Sequence, residues 1–465
     1  MFHRYFDEGL AQTSFLIACA RTRDAVVIDP RRDVGIYVEA ARRHNLRIVY
    51  SIETHIHADF VSGSRELATA GARTVAGPGS DLRFDFHEAR DGEVVNVGDI
   101  VLRFLHTPGH TPEHVSILVE QPGAPARVFT GDTLFVGAVG RPDLLGEELT
   151  RRLAGELYTS LFGKLLTLDD AVEVHPGHGA GSLCGAGIGS GPHTTIGQER
   201  RFNPMLRHTS RDAFVAAVLA DLPETPSYFP RMKRVNHDGP PVLGLAHGYP
   251  AVKNLSAAEA AAASREGGWI VDHRTSEDFG AGHPKGAVHI GFGTKVGYWA
   301  GWILPGDARI VLLASSNTHV ENVQPQLLRV GLDRIEGVLA GGFEAWKSAG
   351  LPIESIPQID ARELRARVQR RDPFTLLDVR TKKEFAGGHV EGALNIPVGE
   401  MERVGTLSCG TPVATMCEGG YRSSLASSLL QRHGFREITN VTGGMSDYRQ
   451  VTKALLDHER GAEGC

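Results

Sequence analysis

Histidine and carboxylate side chains are concentrated in the stretch ETHIHADFVSG, residues 53–63. His55, His57 and Asp59 are two residues apart, so on a regular strand they would point to the same side, and at a strand end they would converge. Later loops supply three further candidates, His110, Asp132 and His178. Imidazole and carboxylate ligands without thiolate suit zinc, iron or manganese. These residues therefore predict a metal site.

A second reactive centre is predicted around Cys417, in the run VATMCEGGYRSSLASSLLQRHGF. The pattern indicates a buried strand, a short loop and an amphipathic helix with Leu425, Leu429 and Leu430 at helical spacing. Backbone N–H groups of the glycine-containing loop, the helix dipole and Arg422 would all favour the thiolate form of the cysteine. Cys417 is thus expected to be an activated nucleophile.

The metal candidates follow β-rich runs. The run AVVIDP (25–30) precedes a helical pattern, VGIYVEAARRHNL, and then RIVYSIETHIH. The later runs IVLRFLHTPGH and ARVFTGD also end in a polar or glycine-containing turn. We therefore expect His55, His110 and Asp132 at strand ends, where sites collect in α/β folds.

Length and repetition predict three domains. A chain of 465 residues is too long for one core, and about 150 residues per domain is usual. Passages rich in proline and glycine at 238–250 and 350–360 indicate linkers. After them, IVDHRTSEDFGAGHPKGAVHI (270–290) is repeated as LLDVRTKKEFAGGHVEGALNI (376–396). The predicted domains are residues 1–245, 246–354 and 355–465, and the last two share one α/β plan.

Bulk composition argues against nucleic-acid and membrane partners. The chain has 49 Lys and Arg against 55 Asp and Glu, a formal net charge of -6, and no basic run stands out. No stretch approaches the ~18 apolar residues of a membrane-spanning helix, and the N-terminus does not resemble a signal peptide. Five widely spaced cysteines suit a reducing compartment better than a disulfide framework. We expect a cytoplasmic protein.

The motifs THIHAD, TPGHT, TGD and HPGHG, in that order, resemble those of the metallo-β-lactamase superfamily over roughly residues 1–240. The resemblance implies an αββα sandwich. Hydrolases of this superfamily, such as glyoxalase II, continue the first motif with Asp-His and hold two metals, whereas this chain has Phe60 at that position. A phenyl ring cannot bind a metal, so a stable second metal site is not expected.

Within the superfamily the chain is similar to persulfide dioxygenases, which hold one Fe(II). The iron ligands that this similarity implies are His55, His110 and Asp132. Two imidazoles and one carboxylate leave open positions for O₂ and a substrate sulfur. The similarity places His57, Asp59 and His178 beside these ligands, and Arg141, in GAVGRPD, near the substrate thiol.

The loop Cys-Glu-Gly-Gly-Tyr-Arg-Ser, together with LLDVRTKKEFAGGHVEGALNIP before it, resembles a rhodanese sulfurtransferase domain over about residues 356–460. The resemblance implies that Cys417 carries a persulfide, with Arg422 beside it. Backbone N–H groups expected around the sulfur are those of Glu418, Gly419, Gly420, Tyr421 and Arg422, with help from Ser423. The middle repeat lacks the cysteine, its matching position being about Ala314 or Ser315, and is expected to be structural or to help form a homo-oligomer.

The combined expectation is an enzyme of sulfide detoxification. Its iron site would oxidise a low-molecular-weight thiol persulfide with O₂ to sulfite and thiol, and its rhodanese domain would transfer sulfane sulfur to or from sulfite and thiosulfate. The alternatives are a two-metal thioester hydrolase of the glyoxalase II type with an attached sulfurtransferase, and a persulfide-carrying scaffold. Cys184, six residues beyond His178, is either a small apolar filler or a thiol carrier.

Overall fold

The structure is a computed structural model that describes the backbone of residues 1–462 and the side chains of residues 1–454. It contains two compact units. The first comprises Met1–Ala251 with Pro325–Leu332, and the second comprises Val252–Gln324 with the chain from Asp333 onward. The predicted domain boundaries after residues 245 and 354 stay predictions.

The first unit is built from two six-stranded sheets and a small hairpin. Its strands are β1 (Phe2–Asp7), β2 (Gln12–Ala18), β3 (Asp24–Ile28), β4 (Arg47–Ile52), β5 (Arg73–Ala76), β6 (His87–Glu88), β7 (Val94–Val97), β8 (Ile100–His106), β9 (Val115–Glu120), β10 (Arg127–Gly131), β11 (Leu134–Phe135), β12 (Ala138–Val139), β13 (Glu173–Pro176) and β14 (Thr194–Thr195). One sheet has the order β1-β2-β3-β4-β5-β6 and the other β14-β13-β10-β9-β8-β7, while β11 and β12 pair with each other.

Helices cover the outer faces of these sheets. They are α1 (Gly35–Arg43), α2 (Ser64–Thr69), α3 (Glu147–Gly163), α4 (Ile196–Phe202), α5 (Arg211–Ala220) and α6 (Phe229–Asp238). The central core joins apolar residues of both sheets, among them Phe15, Val26, Leu102 and Phe129. Separate clusters pack α1 on the first sheet and α3 with α5 on the second. The αββα layering expected from sequence is therefore confirmed.

The site-bearing loops lie at the ends of central strands. Strands β3, β4 and β5 are parallel neighbours, and β10 is parallel to β13. The loop that begins at Glu53 follows β4, and Asp132 follows β10. Because the carboxyl ends of parallel strands meet at one edge of a sheet, residues that are distant in sequence come together there.

The second unit contains two five-stranded sheets with the same order. Its strands are β15 (Asn254–Leu255), β16 (Trp269–Asp272), β17 (His283–Pro284), β18 (Val288–His289), β19 (Ile310–Leu313), β20 (Ile335–Leu339), β21 (Ile353–Glu354), β22 (Gln358–Ile359), β23 (Thr375–Asp378), β24 (Leu394–Asn395), β25 (Val413–Met416) and β26 (Ile438–Val441). The orders are β15-β20-β19-β16-β18 and β22-β26-β25-β23-β24, all parallel, and β17 pairs with β21. The duplication seen in the sequence is thus a duplication of fold.

The remaining helices are α7 (Ala257–Arg265), α8 (Ser276–Ala281), α9 (Val296–Ile303), α10 (Asn317–Arg329), α11 (Gly342–Ser348), α12 (Ala361–Arg370), α13 (Lys382–Ala386), α14 (Tyr421–Arg432) and α15 (Gly444–Ala462). The last residues of α10, from Pro325, belong to the first unit. Over the described residues, no helix is both long and apolar enough to cross a lipid bilayer.

Candidate metal centre and sulfur-transfer loop

Three ligand atoms converge at the end of the first unit's central strands. Nε2 of His55 lies 3.8 Å, and Nε2 of His110 3.5 Å, from Oδ2 of Asp132. All three side chains are buried, and none of these three atoms has a hydrogen-bond partner in the described part of the chain. Buried polar atoms are almost always paired, so three unpaired ones facing each other fit a metal ion. The arrangement brings the three predicted ligands together.

The charges of the three groups also suit a divalent cation. Burial lowers the pKa of His55 and of His110, so both imidazoles are neutral and keep a lone pair for a metal. Burial opposes ionisation of Asp132, but the neighbouring imidazolium of His178 lowers its pKa and keeps it a carboxylate. Two neutral nitrogens and one anionic oxygen are a ligand set that iron, zinc and manganese share.

Hydrogen bonds fix the orientation of both histidine rings. His110 Nδ1 donates to the carbonyl oxygen of Arg141 at 2.8 Å, and His55 Nδ1 lies 2.9 Å from Oγ1 of Thr54. The Thr54 hydroxyl donates its own hydrogen to Asp29 at 2.9 Å and so accepts from His55. Each bond therefore holds the proton on Nδ1, which leaves Nε2 free to bind a metal. Both rings are therefore pre-oriented as Nε2 ligands.

His178 occupies the space between two carboxylates. Its Nδ1 donates to Oδ1 of Asp132 at 2.7 Å and its Nε2 donates to Oδ2 of Asp59 at 2.9 Å. Burial disfavours a charged ring, but Asp132 above all raises the pKa of His178 well above its usual value. The fully buried ring of Phe60 stands 4.3 Å from the ring of His57. In this structure His178 thus supplies a positive charge next to Asp59, where hydrolases of the superfamily would use a second metal.

His57 belongs to a separate buried cluster. Its Nε2 lies 3.2 Å from Oδ1 of Asp29 and 3.1 Å from Oε2 of Glu53. Burial opposes protonation, yet these two carboxylates, Asp29 first, raise the pKa of His57 to about 10. The ring centroid lies 4.2 Å from that of His55. His57 is therefore a neighbour of the metal centre that neutralises buried charge.

Asn236, on α6, bonds to the loop that carries His55. The sequence did not predict this function. Its Nδ2 donates to the carbonyl oxygens of His57, at 2.9 Å, and Phe60, at 2.7 Å, while its Oδ1 accepts from the N–H of Ser62 at 2.9 Å. One buried amide therefore satisfies three backbone groups of a loop that is far away in sequence. No spacing or motif around Asn236 indicates this function.

The segment Pro325–Leu332 of the first unit also contacts this loop. The carbonyl oxygen of Arg329 accepts from the N–H of Val61 at 2.6 Å. The guanidinium of Arg329 binds both carboxylate oxygens of Asp33 at 2.7 Å and forms an ion pair with Asp7. Because this pairing is largely buried, it fixes the position of the carbonyl that holds the loop.

Arg141 is buried, and several protein groups accept hydrogen bonds from its guanidinium. Its guanidinium makes two bonds of 2.7 Å to Asp143, one of 2.6 Å to Oγ1 of Thr225 and one of 3.0 Å to the carbonyl oxygen of Leu183. Its own carbonyl accepts from His110. The predicted contact of Arg141 with a substrate thiol stays a prediction. The observed link between Arg141 and the metal centre is the bond from His110 to its carbonyl oxygen.

Cys184 lies between an apolar cluster and the polar groups His178 and Asp59. It is 1% exposed and packs with Phe135, Ala138 and Ile188. Burial raises the pKa of its thiol to about 12, although the nearby His178 opposes this shift. Both interpretations of Cys184, apolar filler and thiol carrier, stay predictions.

In the second unit, Cys417 follows β25 and begins the transfer loop, residues 417–422. The N–H of Gly420 donates to its Sγ at 3.1 Å, and Sγ lies 3.5 Å from Oγ of Ser423. Gly420 has φ of +96°, a left-handed conformation that glycine adopts without strain. The predicted contacts to a sulfane sulfur from the amides of Glu418, Gly419, Tyr421 and Arg422 stay predictions. The loop places the sulfur of Cys417 near the N-terminus of α14, with one backbone N–H directed at it.

Helix α14, which begins within the transfer loop, packs on the middle repeat. The hydroxyl of Tyr421 donates to the carbonyl oxygen of Gly291 at 3.0 Å, and the N–H of His289 donates to Oγ of Ser428 at 3.1 Å. The middle repeat has no cysteine after its matching strand, β19, where the chain reads ASSN at 314–317. These contacts agree with a supporting function for that repeat.

Family models match both the metallo-β-lactamase-like part of the chain and its two repeats. A model described as the metallo-beta-lactamase superfamily matches residues 7–178, and a rhodanese-like domain model matches residues 256–349 and 360–450. These ranges contain the metal centre and the transfer loop, respectively. The rhodanese-like domains and the similarity to a persulfide dioxygenase support a function in sulfur metabolism.

Among the curated relatives, two with different described activities each match less than half of this chain. Persulfide dioxygenase ETHE1, mitochondrial, of Bos taurus is 29% identical over 213 residues, which are 44% of this chain and 76% of that protein. A probable hydroxyacylglutathione hydrolase of Schizosaccharomyces pombe is 27% identical over 219 residues, 42% of this chain and 82% of that protein. Similarity alone thus reaches both an oxygenase and a hydrolase.

One solved structure extends beyond the metal-binding domain. A metallo-beta-lactamase from Staphylococcus aureus subsp. aureus COL superposes with a TM-score of 0.62 at 31% identity and covers 73% of this chain and 98% of its own. The match at this identity over nearly the whole of that protein shows common ancestry as well as a common fold. This chain therefore belongs to the metallo-beta-lactamase superfamily, and two rhodanese-like domains follow its metallo-beta-lactamase-like domain.

Proposed function

We propose that this protein is both a persulfide dioxygenase and a sulfurtransferase, and that the two activities serve sulfide detoxification. The reaction R–S–SH + O₂ + H₂O → R–SH + SO₃²⁻ + 2H⁺ would take place at His55, His110 and Asp132. When bound there, one Fe(II) ion would supply the O₂ chemistry. The observation that carries the proposal is the set of three buried, unpaired ligand atoms on those residues, with a phenyl ring where a second metal would need a histidine.

The surrounding residues would orient the ligands and restrict the site to one metal. The carbonyl of Arg141 and the hydroxyl of Thr54 hold the two imidazoles with Nε2 facing the metal position. His178 holds Asp132 through Oδ1, so that Oδ2 faces the same position. Placing substrate and O₂ side by side in a buried site lowers the entropic cost of their reaction.

The transfer loop would carry the sulfane sulfur on Cys417. The thiolate attacks the outer sulfur of R–S–SH, the S–S bond breaks, and R–S⁻ leaves as the Cys417 persulfide forms. Sulfite then attacks the outer sulfur of that persulfide and gives thiosulfate with return of the thiolate. The same steps in reverse draw sulfur from thiosulfate. The N–H of Gly420 stabilises the negative charge on sulfur before the transfer, in the Cys417 thiolate, and after it, in the Cys417 persulfide.

The deciding experiment measures O₂ uptake by the iron-loaded full chain with glutathione persulfide, and quantifies sulfite and thiosulfate for wild type and Cys417→Ser. We expect rapid uptake in both proteins, with thiosulfate from the wild type and sulfite accumulating in the variant. Absence of uptake by fully loaded protein with several thiol persulfides would rule out the dioxygenase. Two metal ions per chain together with thioester hydrolysis would favour the hydrolase instead.

A further inference from the structure

The arginine of the transfer loop is bound by an internal carboxylate. Nη1 and Nη2 of Arg422 donate to the two oxygens of Glu384, each at 2.7 Å. Such a two-pronged pair is the geometry in which guanidinium also binds oxyanions. Burial opposes ionisation, but Arg422 lowers the pKa of Glu384 to about 2, so the carboxylate stays charged at neutral pH. Arg422 is therefore already occupied by an anion.

The other arginines around the loop are neutralised as well. Arg380 is fully buried, bonds Asp378 at 2.7 Å and reaches Glu418 at 3.2 Å. Arg449 forms an ion pair with the second oxygen of Glu418. Together with Arg422 and its carboxylate, three arginines face three carboxylates. The loop therefore offers backbone N–H groups to an incoming anion, but no uncommitted arginine among these three.

The middle repeat shows which of these pairs the fold requires. Its Arg274 binds Asp272 through Nε at 3.0 Å, as Arg380 binds Asp378. Both pairs follow the same strand of their repeat, β16 and β23. Since the repeat without a reactive cysteine keeps this pair, the pair serves the fold.

The pair between Glu384 and Arg422 is different, because the middle repeat lacks it. Thr381 caps α13 by accepting from the N–H of Glu384 at 3.2 Å, and Thr275 caps α8 by accepting from Asp278 at 3.1 Å. The cap is therefore shared, but the loop of the middle repeat, ASSNTHV (314–320), contains no arginine. The fold forms without the carboxylate–arginine pair, which points to a function in the chemistry of Cys417.

The geometry points to Glu384 as the residue that sets donor preference, by competing with sulfur oxyanions for Arg422. Thiosulfate is a dianion, and the sulfite it releases is one too, so a cation must neutralise the sulfonate group as the S–S bond breaks. Glu384 has to release Arg422 first. When the donor is a thiol persulfide, the leaving group is the singly charged thiolate R–S⁻, which does not need Arg422, so the loop prefers persulfide donors. This inference rests on the proposed sulfur-carrying function of Cys417.

Both donors give a balanced exchange at the same sulfur. With a persulfide, Cys417–S⁻ + R–S–SH → Cys417–S–SH + R–S⁻. With thiosulfate, Cys417–S⁻ + S–SO₃²⁻ → Cys417–S–S⁻ + SO₃²⁻. In each case one S–S bond breaks and one forms, without net oxidation. The two reactions differ in the leaving group, which is singly charged R–S⁻ in the first and doubly charged SO₃²⁻ in the second. Glu384 would affect only the second, because only the second needs Arg422.

The test is Glu384→Gln in the full chain, assayed with thiosulfate and with glutathione persulfide as donors. Glutamine is accepted at this position of a capping box, so the helix start is kept. We expect kcat/KM for thiosulfate to rise about tenfold, mainly through a lower KM, because the competing charge is gone. The value for persulfide should stay within about twofold. Glu363→Gln, which removes another carboxylate paired with arginines in the same domain, should change neither.

A double variant shows whether the gain acts through Arg422. Glu384→Gln with Arg422→Ala should lose the improvement with thiosulfate. Equal changes for both donors, or no change for either, would overturn the inference while the Cys417 persulfide still forms. If mass spectrometry finds no persulfide on Cys417 of the wild type with any donor, the proposed sulfurtransferase function fails, and the inference fails with it.

Discussion

The two reactive sites are assembled in opposite ways. The metal centre takes His55, His110 and Asp132 from three separate strand ends, and its loop is held by Asn236 from a distant helix. The transfer loop is one continuous run, 417–422, which follows a strand and includes the first two residues of the next helix. A site assembled from distant segments depends on whatever fixes those segments, whereas a continuous loop depends mainly on its own backbone. Substitutions far from the chemistry should therefore damage the first site more than the second.

The largest effect is expected from Asp132→Ala. Loss of the only carboxylate among the three ligands removes the negative charge that offsets a divalent cation, and leaves His178 with one carboxylate instead of two. We expect metal affinity to fall at least about a hundredfold, since even indirect partners of metal ligands cost 10–100-fold. Metal content and O₂ uptake would show this, while sulfur transfer by Cys417 should persist.

The control for this variant is Asp99→Ala, which removes a partly exposed carboxylate of the same unit that pairs with Arg21. It should leave metal content unchanged. Full metal loading of Asp132→Ala would show that the three converging atoms are not the ligands.

The next largest effect is expected from Asn236→Ala, a variant of a residue that bonds the metal loop and not the three ligand atoms. The variant leaves the carbonyls of His57 and Phe60 and the N–H of Ser62 without their partner. Unpaired buried groups cost about 1–3 kcal/mol, and a displaced loop should weaken metal binding about 10–100-fold. Chelator competition and thermal unfolding measure the two effects separately.

Asn203→Ala is the matched control. Asn203 is equally buried in the same unit and also makes three bonds, to Ala138, Glu199 and Met205. It should lower stability to a similar extent without changing metal affinity. Equal losses of metal affinity in both variants would mean that Asn236 acts through general stability only.

The same contrast explains what the sequence could reveal. His55, His110 and Asp132 each stand in a short motif after a β-rich run, so strand-end placement and ligand chemistry together predict them. Asn236 and Arg329 bind backbone atoms of the metal loop across long stretches of chain. Such bonds depend on tertiary packing and leave no spacing pattern, so they emerge only from the structure.

The transfer loop was predictable for the opposite reason. Cys417, the two glycines and the helix start are adjacent, and local rules decide their conformation. What the sequence left open was the direction of long side chains. The position of Arg422 was evident, but its pairing with Glu384 depends on how α13 packs beside the loop. Local geometry can be read from sequence, while the partners of charged side chains cannot.

A smaller effect is expected from Tyr421→Phe in the transfer loop. The variant removes the bond from the hydroxyl to the carbonyl of Gly291 and keeps the ring and the backbone N–H. A bond of this kind contributes about 0.5–1.5 kcal/mol, so kcat/KM for sulfur transfer should fall about two- to tenfold. O₂ uptake should not change.

The alkylation rate of Cys417 as a function of pH gives a second measurement for Tyr421→Phe. Displacement of the transfer loop should shift that profile, whereas a loss of overall stability alone should not. Tyr448→Phe, a tyrosine against the core of the same repeat, is the control. A loss of transfer greater than about a hundredfold would mean that the loop depends on the middle repeat as strongly as the metal loop depends on Asn236.

The smallest effect is expected from Cys184→Ala, which asks whether a thiol of the metal-binding unit takes part in sulfur carriage. Burial raises the pKa of this thiol to about 12, and the thiolate is the reactive form, so its reactivity should appear only as pH approaches that value. At pH 8, iodoacetamide should label the exposed Cys409 of the native protein and spare Cys184. Sulfur transfer and O₂ uptake of Cys184→Ala should stay within about twofold of wild type, because the thiol that it removes is buried, uncharged and behaves as a small apolar group. A persulfide found on Cys184 after incubation with a persulfide donor would contradict this, and would make the metal-binding unit a sulfur carrier alongside Cys417.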